Sequence, residues 1–310
     1  MEIRVKNLVK RYGELVALDH FNLEISEGEV FGLLGPNGSG KTTAINCILS
    51  LLKYDKGTIE VMNRPMSPTA YDIKREIGVV MQNVAVFDEL TVRENIDYFC
   101  GLYIRDKKER ERLVDEAVEF VGLKDYVKLR PKKLSGGLLR RLNIACGIAH
   151  KPKLIIMDEP TVAVDPQSRN NILEGILELN RQGATVLYTS HYMEEVERIC
   201  TRIAIMDKGR IITSGTAGEL KSLISTGEKV TIEACGVNDR DIEFFKNMPG
   251  VISVDYSDCV LRIKSKKGRN NLAPALEYLK SENIEFSRIY SELPTLNDVF
   301  LEITGKELRN

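Results

Sequence analysis

The chain has 310 residues, with 44 lysines and arginines against 45 aspartates and glutamates, and its formal net charge is −1 at pH 7. Its length allows two domains of ordinary size. The balanced charge excludes a global basic field that would attract nucleic acid or anionic lipid, and we expect no nucleic-acid partner.

Six cysteines stand far apart in the sequence, without a C-x-x-C pair and without a metal-ligand spacing to the three histidines. They are Cys47, Cys100, Cys146, Cys200, Cys235 and Cys259. Because most of them lie among apolar residues, we expect buried, reduced thiols, which fits the cytosol.

The amino terminus and the hydropathy of the chain argue against membrane insertion. Met1 leads directly into a polar, alternating segment, so we expect no signal peptide. No uninterrupted apolar run in the sequence approaches the roughly 18 to 20 residues that span a bilayer. If the protein works at a membrane, we expect it to act through a partner.

Apolar runs near the N-terminus predict strands at residues 3–12, 21–25 and 29–34. The first strand ends at Tyr12, the one aromatic residue of a polar turn. Tyr12 could stack on an adenine ring, or it could be an amphipathic residue at a strand edge. Spacing alone favours the second interpretation.

A glycine-rich segment follows the third strand and reads G-x-x-x-x-G-K-T, the pattern of a phosphate-binding loop. Helical apolar spacing follows it, so the loop lies at a helix N-terminus, where free N–H groups and the helix dipole favour phosphate oxygens. This context argues against the alternative, a glycine-rich turn with a chance lysine. Lys41 supplies a charge for the β- and γ-phosphates, and the Thr42 hydroxyl can ligate Mg²⁺. The segment comprises Gly35, Pro36, Asn37, Gly38, Ser39, Gly40, Lys41, Thr42 and Thr43.

Two further strands are predicted at residues 57–62 and 77–82, and Gln82 lies where the second gives way to a loop. Gln82 could reach Mg²⁺ or an attacking water, or it could be a solvated loop residue; its position does not decide. The apolar spacing of residues 87–150 is helical, with helices predicted at 92–103 and 110–123.

Ser135, Gly136 and Gly137 begin another predicted helix within this segment. The glycines leave its N-terminal N–H groups accessible, so this is a second helix start that could bind an anion. Taken alone, the motif favours the alternative, an N-cap serine followed by flexible glycines.

Residues 153–157 predict a buried strand that ends in the carboxylates of Asp158 and Glu159. The carboxyl ends of parallel strands are where α/β sheets bind ligands. Asp158 could hold Mg²⁺ and Glu159 could polarise a water; a chance acidic strand end is a weak alternative beside a phosphate loop. The strand predicted at 184–191 ends in His191, which could contact a γ-phosphate or simply begin a helix.

A hairpin is predicted at residues 203–206 and 210–213, and the organisation changes near residue 225. Beyond it we expect strands at 229–234, 251–256, 259–263 and 284–289, and helices at 239–247 and 272–282. The order strand-helix-strand-strand-helix-strand predicts a small α+β domain of split βαβ type. It carries no recognisable catalytic constellation.

Together these motifs resemble those of the ATP-binding subunits of ABC transporters, over essentially the first 220 residues. Residues 134–137 (LSGG) resemble the signature motif that defines the family, and residues 154–159 resemble its Walker B strand with the catalytic glutamate. Four residues fall at further family positions: Gln82 at the Q-loop, Asp165 at the D-loop, His191 at the switch histidine and Tyr12 at the adenine-stacking aromatic. In this order and spacing, residues that were ambiguous alone support one another.

The resemblance implies an α/β fold, a P-loop NTPase of ABC type with antiparallel β and helical subdomains. We expect the ATP-binding domain at 1–220, with its helical signature subdomain at 87–150. The small C-terminal α+β domain at 221–310 is then a dimerisation or regulatory element.

Two departures from the family pattern concern turnover. Leu138 stands where the signature motif commonly has glutamine, and Ala163 stands where the D-loop usually has glycine. Ala163 costs little if its φ is negative, and roughly 1 kcal/mol if the backbone must be left-handed. These changes bear on the rate of hydrolysis and on coupling between subunits.

The resemblance also implies a mechanism with ATP and Mg²⁺. Glu159 orients or deprotonates the attacking water, His191 steadies the γ-phosphate, and Gln82 connects the phosphate to the partner. Mg²⁺ is held by Thr42, Gln82 and water on Asp158. A second ATP-binding subunit, expected to be an identical copy, contributes the opposite face of each nucleotide through Ser135, Gly136, Gly137 and Asp165.

Residues 293–305 and 132–141 resemble a bacterial export branch, whose members move drugs, peptides, ions or surface polymers through separately encoded permeases. An integral membrane permease is then the partner, at the cytoplasmic face of the cell membrane. The alternative is a soluble ABC-type ATPase acting on ribosomes or DNA. Such proteins usually carry two ATPase modules, long coiled coils or zinc insertions, which this sequence lacks.

Overall fold

The computed structural model describes residues 1–305, which divide into two compact units. One covers residues 1–217 and the other begins at Gly218. Residues 306–310 of the predicted C-terminal domain lie outside the described residues.

Most predicted strands and helices of the first unit are present, but the second strand begins six residues earlier than predicted, and the helices at residues 71–74 and 166–181 were not predicted. Its strands are β1 Ile3–Tyr12, β2 Leu15–Ile25, β3 Val30–Leu34, β4 Lys56–Val61, β5 Arg64–Pro65, β6 Ile77–Val80, β7 Leu154–Asp158, β8 Thr185–Ser190, β9 Arg202–Asp207 and β10 Arg210–Gly215. Its helices are α1 Lys41–Ile48, α2 Tyr71–Lys74, α3 Val92–Gly101, α4 Lys107–Phe120, α5 Gly136–Ile148, α6 Pro166–Arg181 and α7 Met193–Ile199.

A six-stranded sheet in the order β10-β9-β3-β8-β7-β6 forms the centre of this unit, and only β10 pairs antiparallel to its neighbour. Every residue of β3 and β7 is buried, as expected for parallel strands covered on both faces. The register pairs Leu34 with Ser190, Asp158 with Thr189 and Val80 with Met157. The carboxyl ends of four strands therefore lie level at one edge of the sheet.

A second, antiparallel sheet has the order β2-β1-β4-β5. Its inward residues, such as Ile3 and Phe21, are in one apolar cluster with Ile45 and Ile48 of α1 and with Leu33 of β3. Apolar contacts from both sheets thus fix the helix that follows the phosphate loop. Such contacts are needed because a helix of 8 residues is too short to be stable alone.

The helical segment between β6 and β7 contains α3, α4 and α5, as predicted. Thr91 and Glu94 form a capping box at the start of α3, and the Asp106 side chain caps α4. Asn95 is fully buried and its amide contacts the carbonyls of Phe87, Leu90 and Thr91, which closes the loop before α3. No described helix is long and apolar enough to cross a bilayer.

His150 lies at the end of this segment, 9% exposed, with its ring stacked on Tyr103 at 3.8 Å between centroids. Burial lowers the pKa of His150 from the usual 6.5 to about 4. Because the unfolded chain then binds a proton more readily than the folded chain, the free energy of unfolding falls as the pH drops from 6.5 towards 4.

A His150→Phe variant keeps an aromatic ring against Tyr103 and removes this titration. At pH 5 the parent is expected to lose about 2 kcal/mol of unfolding free energy from this group, relative to pH 7.5, and the variant is not. Urea unfolding at the two pH values measures the difference. His20→Phe is the control, because the His20 side chain is 67% exposed. An equal pH dependence in parent and His150→Phe would contradict the assignment.

The second unit is the predicted split βαβ arrangement, followed by one further helix. Its strands are β11 Thr226–Ala234, β12 Val251–Ser257, β13 Val260–Lys266 and β14 Phe286–Glu292. The helix α8 Ala217–Leu223 begins at the boundary between the units, and it is followed by α9 Asp239–Lys246, α10 Leu272–Ser281 and α11 Leu296–Thr304. The sheet is antiparallel in the order β12-β13-β11-β14. Alternate residues of β11 and β13, with Phe245 of α9 and Ala275 and Leu279 of α10, form its core.

The helix α11 was not among the sequence predictions, although Thr295 and Asp298 form a capping box at its start.

The prediction that all six cysteines are reduced is wrong for two of them, since a disulfide joins Cys235 to Cys259. Cys235 follows β11, and Cys259 lies in the turn between β12 and β13. The strand β13 pairs with β11. Strand pairing brings these positions together across 24 residues of sequence, which composition cannot show. Cys47, Cys100, Cys146 and Cys200 are free.

Candidate functional site

The phosphate loop connects β3 to α1 at the level edge of the central sheet. Gly40 has φ of 108°, and a Cβ there would lie 2.7 Å from the Ala17 carbonyl oxygen. A Cβ on Gly35 would lie 2.4 Å from the Met206 carbonyl oxygen. Both positions therefore require glycine, one for its backbone angle and space and the other for space alone. The Ser39 hydroxyl is buried without a hydrogen-bond partner in the protein, as expected of a group that would donate a hydrogen bond to a ligand oxygen.

Lys41 begins α1 and is only 5% exposed. Its ammonium donates to the carbonyls of Gly35 at 2.8 Å and Pro36 at 3.2 Å, and lies 3.2 Å from the Glu159 carboxylate. The charge thus lies within the loop that would surround a phosphate. A bound phosphate would compete with Glu159 for this ammonium group.

Glu159 is the point at which three other candidate residues meet. Its carboxylate lies 3.2 Å from the Lys41 ammonium, 3.4 Å from Nδ1 of His191 and 3.5 Å from Nε2 of Gln82. Its backbone has a positive φ of 48° and its N–H faces the Thr189 carbonyl and hydroxyl oxygens at 3.2 and 3.1 Å. A left-handed backbone at a non-glycine residue is strained, and Thr189 holds it in place.

The Asp158 carboxylate is fully buried, and both of its oxygens accept hydrogen bonds. Oδ2 accepts from the Thr42 hydroxyl at 2.7 Å and Oδ1 accepts from the Thr189 hydroxyl at 2.6 Å. Thr42 and Asp158 thus place two hard oxygen donors side by side, the ligand type that Mg²⁺ prefers. Among residues 1–305, no group of three or more acidic, histidine or cysteine side chains could hold a metal alone. Mg²⁺ would therefore need the phosphates and water as further ligands, which is its usual mode with nucleotides.

Ser135 lies outside this cluster, at the start of α5, where its side chain accepts from the Leu138 N–H. A Cβ on Gly137 would lie 2.6 Å from the Ser168 hydroxyl and 3.0 Å from the Asp165 carboxylate, so α5 begins against the start of α6. In the described chain, no hydrogen bond joins residues 135–137 to the phosphate loop. The signature motif and Asp165 therefore form a second group.

Tyr12 lies at the end of β1 and is 49% exposed, and the Lys10 ammonium lies 4.9 Å from its ring centroid. An exposed face of this kind leaves room for a stacked base. The role of Tyr12 in adenine stacking stays a prediction.

Arg140 is a site residue that sequence reasoning did not single out. It is 4% exposed, and its guanidinium donates to the carbonyls of Met81 at 2.9 Å and Glu159 at 3.0 Å. Burial lowers the pKa of Arg140. The side chain thus connects α5 to the residues beside Gln82 and to Glu159. Helical spacing could have indicated Arg140 from the sequence, because Asn143 and Ile144, three and four residues later, lie on the same face of the helix.

The structure decides the backbone conformation of Ala163, the D-loop alanine, whose φ the sequence left open. Ala163 has a positive φ of 59° and is exposed. An L-residue with a Cβ is strained in this region, whereas glycine is not. The alanine therefore stores strain in the segment between Glu159 and Asp165.

An Ala163→Gly variant is expected to raise the free energy of unfolding by roughly 1 kcal/mol, because relief of the strain exceeds the added freedom of the unfolded chain. Urea unfolding measures this change. The matched control is Ala85→Gly, at an exposed loop alanine whose φ is not positive. The control is expected to lose stability. A loss of stability in both variants would contradict strain at Ala163.

A glycine-rich loop around a buried lysine, next to a paired threonine and aspartate, defines a P-loop nucleoside triphosphatase. Residues 18–162 match the family model described as ABC transporter, and residues 215–304 match that of the ATP-binding protein DrrA1-3-like, C-terminal domain. The chain is 36% identical to the linearmycin resistance ATP-binding protein LnrL of Bacillus subtilis (strain 168), over 99% of this chain and 100% of that protein. The chain belongs to the ABC transporter family, as an ATP-binding subunit, and is an ATPase of that class.

Two further comparisons agree with this assignment. The chain is 34% identical to the Nod factor export ATP-binding protein I of Sinorhizobium fredii, over 99% of this chain and 87% of that protein. A solved dimeric ATP-binding cassette, in a post-hydrolysis state bound to ADP and Pi, superposes with a TM-score of 0.64 at 28% identity, over 69% of this chain and 98% of that chain. The predicted fold class and the predicted resemblance to export subunits are confirmed.

Proposed function

We propose that this chain hydrolyses ATP to drive export of a substrate through a separately encoded membrane permease. The observation that supports the catalytic part is the convergence of Lys41, His191 and Gln82 on the Glu159 carboxylate. Export is supported by relatives named for resistance and for Nod factor export, which match this chain over 99% of its length.

The phosphate loop, residues 35–43, is proposed to hold the ATP phosphates through its N–H groups, the Ser39 hydroxyl and Lys41. Tyr12 stacks on the adenine. Thr42, Gln82 and water on Asp158 would hold Mg²⁺, which would supply positive charge that offsets the charge of phosphoryl transfer.

Glu159 acts on the attacking water, which it orients or deprotonates. When phosphate draws Lys41 away, the Glu159 carboxylate keeps His191 and Gln82 as neighbours and is free to accept the proton of the water. His191 steadies the γ-phosphate. The separation of the second group, Ser135, Gly136, Gly137 and Asp165, from the phosphate loop supports a two-fold dimer in which that group completes the nucleotide site of the other subunit.

The permease contact is proposed at the start of the helical segment, residues 87–103, which follows Gln82. Phe87, Tyr98 and Leu102 are 42%, 47% and 59% exposed there. The Phe87 ring lies 4.9 Å from that of Tyr98, so they form an exposed aromatic cluster. Exposed aromatic residues that cluster are typical of protein interfaces. The C-terminal unit is proposed to stabilise the dimer or regulate it.

Affinity purification of this chain from gently solubilised native membranes, with mass spectrometry of its partners, tests this function. A polytopic membrane protein in stoichiometric amount is the expected result. Ribosomal proteins or DNA-repair factors without an integral membrane partner would overturn the export proposal in favour of a soluble ATPase. A Phe87→Asp variant should lose the membrane partner while keeping ATP binding.

A further inference from the structure

Glu195 is a buried carboxylate for which the proposed mechanism has no use. It lies in α7, is 3% exposed, and belongs to a segment that follows His191 by one helical turn. A buried carboxylate is costly unless its oxygens accept hydrogen bonds or face a cation. The partners of Glu195 therefore indicate what keeps it there.

Three hydroxyl groups donate to the same oxygen of Glu195. Oε2 accepts from Tyr188 at 2.6 Å, from Thr161 at 2.8 Å and from Ser190 at 3.1 Å. All three donors are at most 1% exposed. Burial, followed by the neighbouring Glu195, raises the pKa of Tyr188 well above its usual value, so its phenol stays protonated and donates. The network is thus closed to water.

Two of these donors lie beside the residues that carry the chemistry. Thr161 follows Glu159 by two residues, within the turn that leads to the D-loop, where the Val164 N–H donates to the Thr161 carbonyl. Ser190 is the last residue of β8. Its hydroxyl donates to Glu195 and accepts from the N–H of Tyr192 at 2.9 Å. The Ser190 hydroxyl, which Glu195 orients, therefore fixes both residues adjacent to His191 in the chain, Ser190 and Tyr192.

A second connection reaches His191 through its ring. The other oxygen of Glu195, Oε1, lies 3.3 Å from Nε of Arg169 in α6. The Arg169 guanidinium lies over the Tyr192 ring at 4.6 Å, and the Tyr192 ring lies 4.1 Å from the His191 ring. The charge of Glu195 thus holds the guanidinium that covers Tyr192, which in turn limits the rotation of His191.

We propose that Glu195 is the positioning residue for His191, through the Ser190 hydroxyl and through Arg169 and Tyr192. The inference rests on the proposed role of His191 in ATP hydrolysis. Glu195 itself lies behind the site and contacts none of the phosphate-loop residues through a described hydrogen bond. It acts by holding the imidazole in the place where it meets Glu159 and the γ-phosphate.

A Glu195→Gln variant of the full chain tests the proposal. Glutamine has the same shape, but it weakens the hydrogen bonds from the hydroxyls and removes the charge that faces Arg169. We expect kcat for ATP hydrolysis to fall by at least ~10-fold while the Kd for ATP stays within ~2-fold, since the phosphate loop is untouched. The matched control is Glu194→Gln, at the exposed carboxylate next to it in α7, with an unchanged rate.

The decisive measurement repeats both substitutions in a His191→Ala background, with a sensitive phosphate-release assay. If Glu195 acts through His191, Glu195→Gln should lower kcat no further there, because effects of residues that act as one unit are not additive. An equal fold-loss in both backgrounds would show a general structural effect and overturn the proposal. So would a parental rate in Glu195→Gln alone.

If Glu195→Gln does not fold, Ser190→Ala decides the question in the same two backgrounds, because it removes the hydroxyl between Glu195 and the Tyr192 N–H. Its loss of rate should disappear when His191 is absent. A parental rate in His191→Ala alone would instead contradict the proposed role of His191. Failure of the site assignment is thereby distinguished from failure of the Glu195 inference.

Discussion

A Glu159→Gln variant is expected to bind ATP at least as well as the parent and to hydrolyse it ~10³-fold more slowly, because a general base contributes about that factor. The amide cannot accept the proton of the attacking water. The structure adds a reason for undiminished binding: the Glu159 carboxylate lies 3.2 Å from the Lys41 ammonium and would compete with phosphate for it. Glutamine removes that competitor.

Phosphate release measures the turnover of Glu159→Gln, and isothermal titration calorimetry measures its ATP affinity. Size-exclusion chromatography with ATP should also show a dimer that persists, since in the proposed dimer the γ-phosphate contacts both subunits and is no longer removed. Glu27→Gln is the control, at an exposed carboxylate before β3, at the opposite end of that strand from the phosphate loop. Hydrolysis by Glu159→Gln at the parental rate would show that another residue is the base.

A Lys41→Ala variant is expected to lose ~100-fold or more in ATP affinity, since a buried ammonium group makes charge-assisted hydrogen bonds to phosphate. The loss is large because Lys41 is 5% exposed and already directed into the loop by the Gly35 and Pro36 carbonyls. Little reorganisation is needed before it meets a phosphate oxygen. Calorimetric titration with ATP measures the change.

Removal of Lys41 also leaves the Glu159 carboxylate, 6% exposed, without its cation, so some loss of stability is expected in the free protein. A thermal unfolding scan of each variant therefore accompanies the titration. Lys53→Ala serves as the control, because Lys53 is an exposed lysine shortly after α1. Unchanged ATP affinity in a folded Lys41→Ala variant would contradict the assignment of the phosphate loop.

Ala163 and Glu159 both have left-handed backbones, four residues apart in one turn. Such strain persists only where the surrounding structure fixes it, and it is concentrated at functional sites. Here Thr189 holds the Glu159 N–H, and the Glu195 network holds Thr161 between the two strained residues. Hydrogen bonds at Glu159 and Thr161 thus hold the segment that leads from Glu159 to the D-loop.

The phosphate loop could be read from the sequence because its chemistry depends on residues that are adjacent in the chain. Its glycines, Lys41 and Thr42 lie within one turn and one helix start, and the strand before it is a short apolar run. The same holds for the Asp158–Glu159 pair at the end of β7. Strand and helix boundaries agreed within a few residues wherever periodicity was strong, as in β1 and α3.

Contacts between distant segments could not be read in this way. Arg140 meets the Glu159 carbonyl across 19 positions, and Cys235 meets Cys259 across 24. Either contact requires the register of strands and the packing of helices, which the local pattern does not specify. The φ of Ala163 was likewise open, because alanine is compatible with several backbone conformations in a loop.

The sequence by itself thus determined the class of site, since nucleotide binding uses local turns, helix starts and strand ends. Only the tertiary structure decided how Lys41, Gln82 and His191 meet at Glu159, and that Ser135 and Asp165 form a separate group. It also showed that Glu195 is buried among three hydroxyl groups. The physical reason is that burial and hydrogen bonding depend on which segments pack together, and in this chain those segments are far apart in sequence.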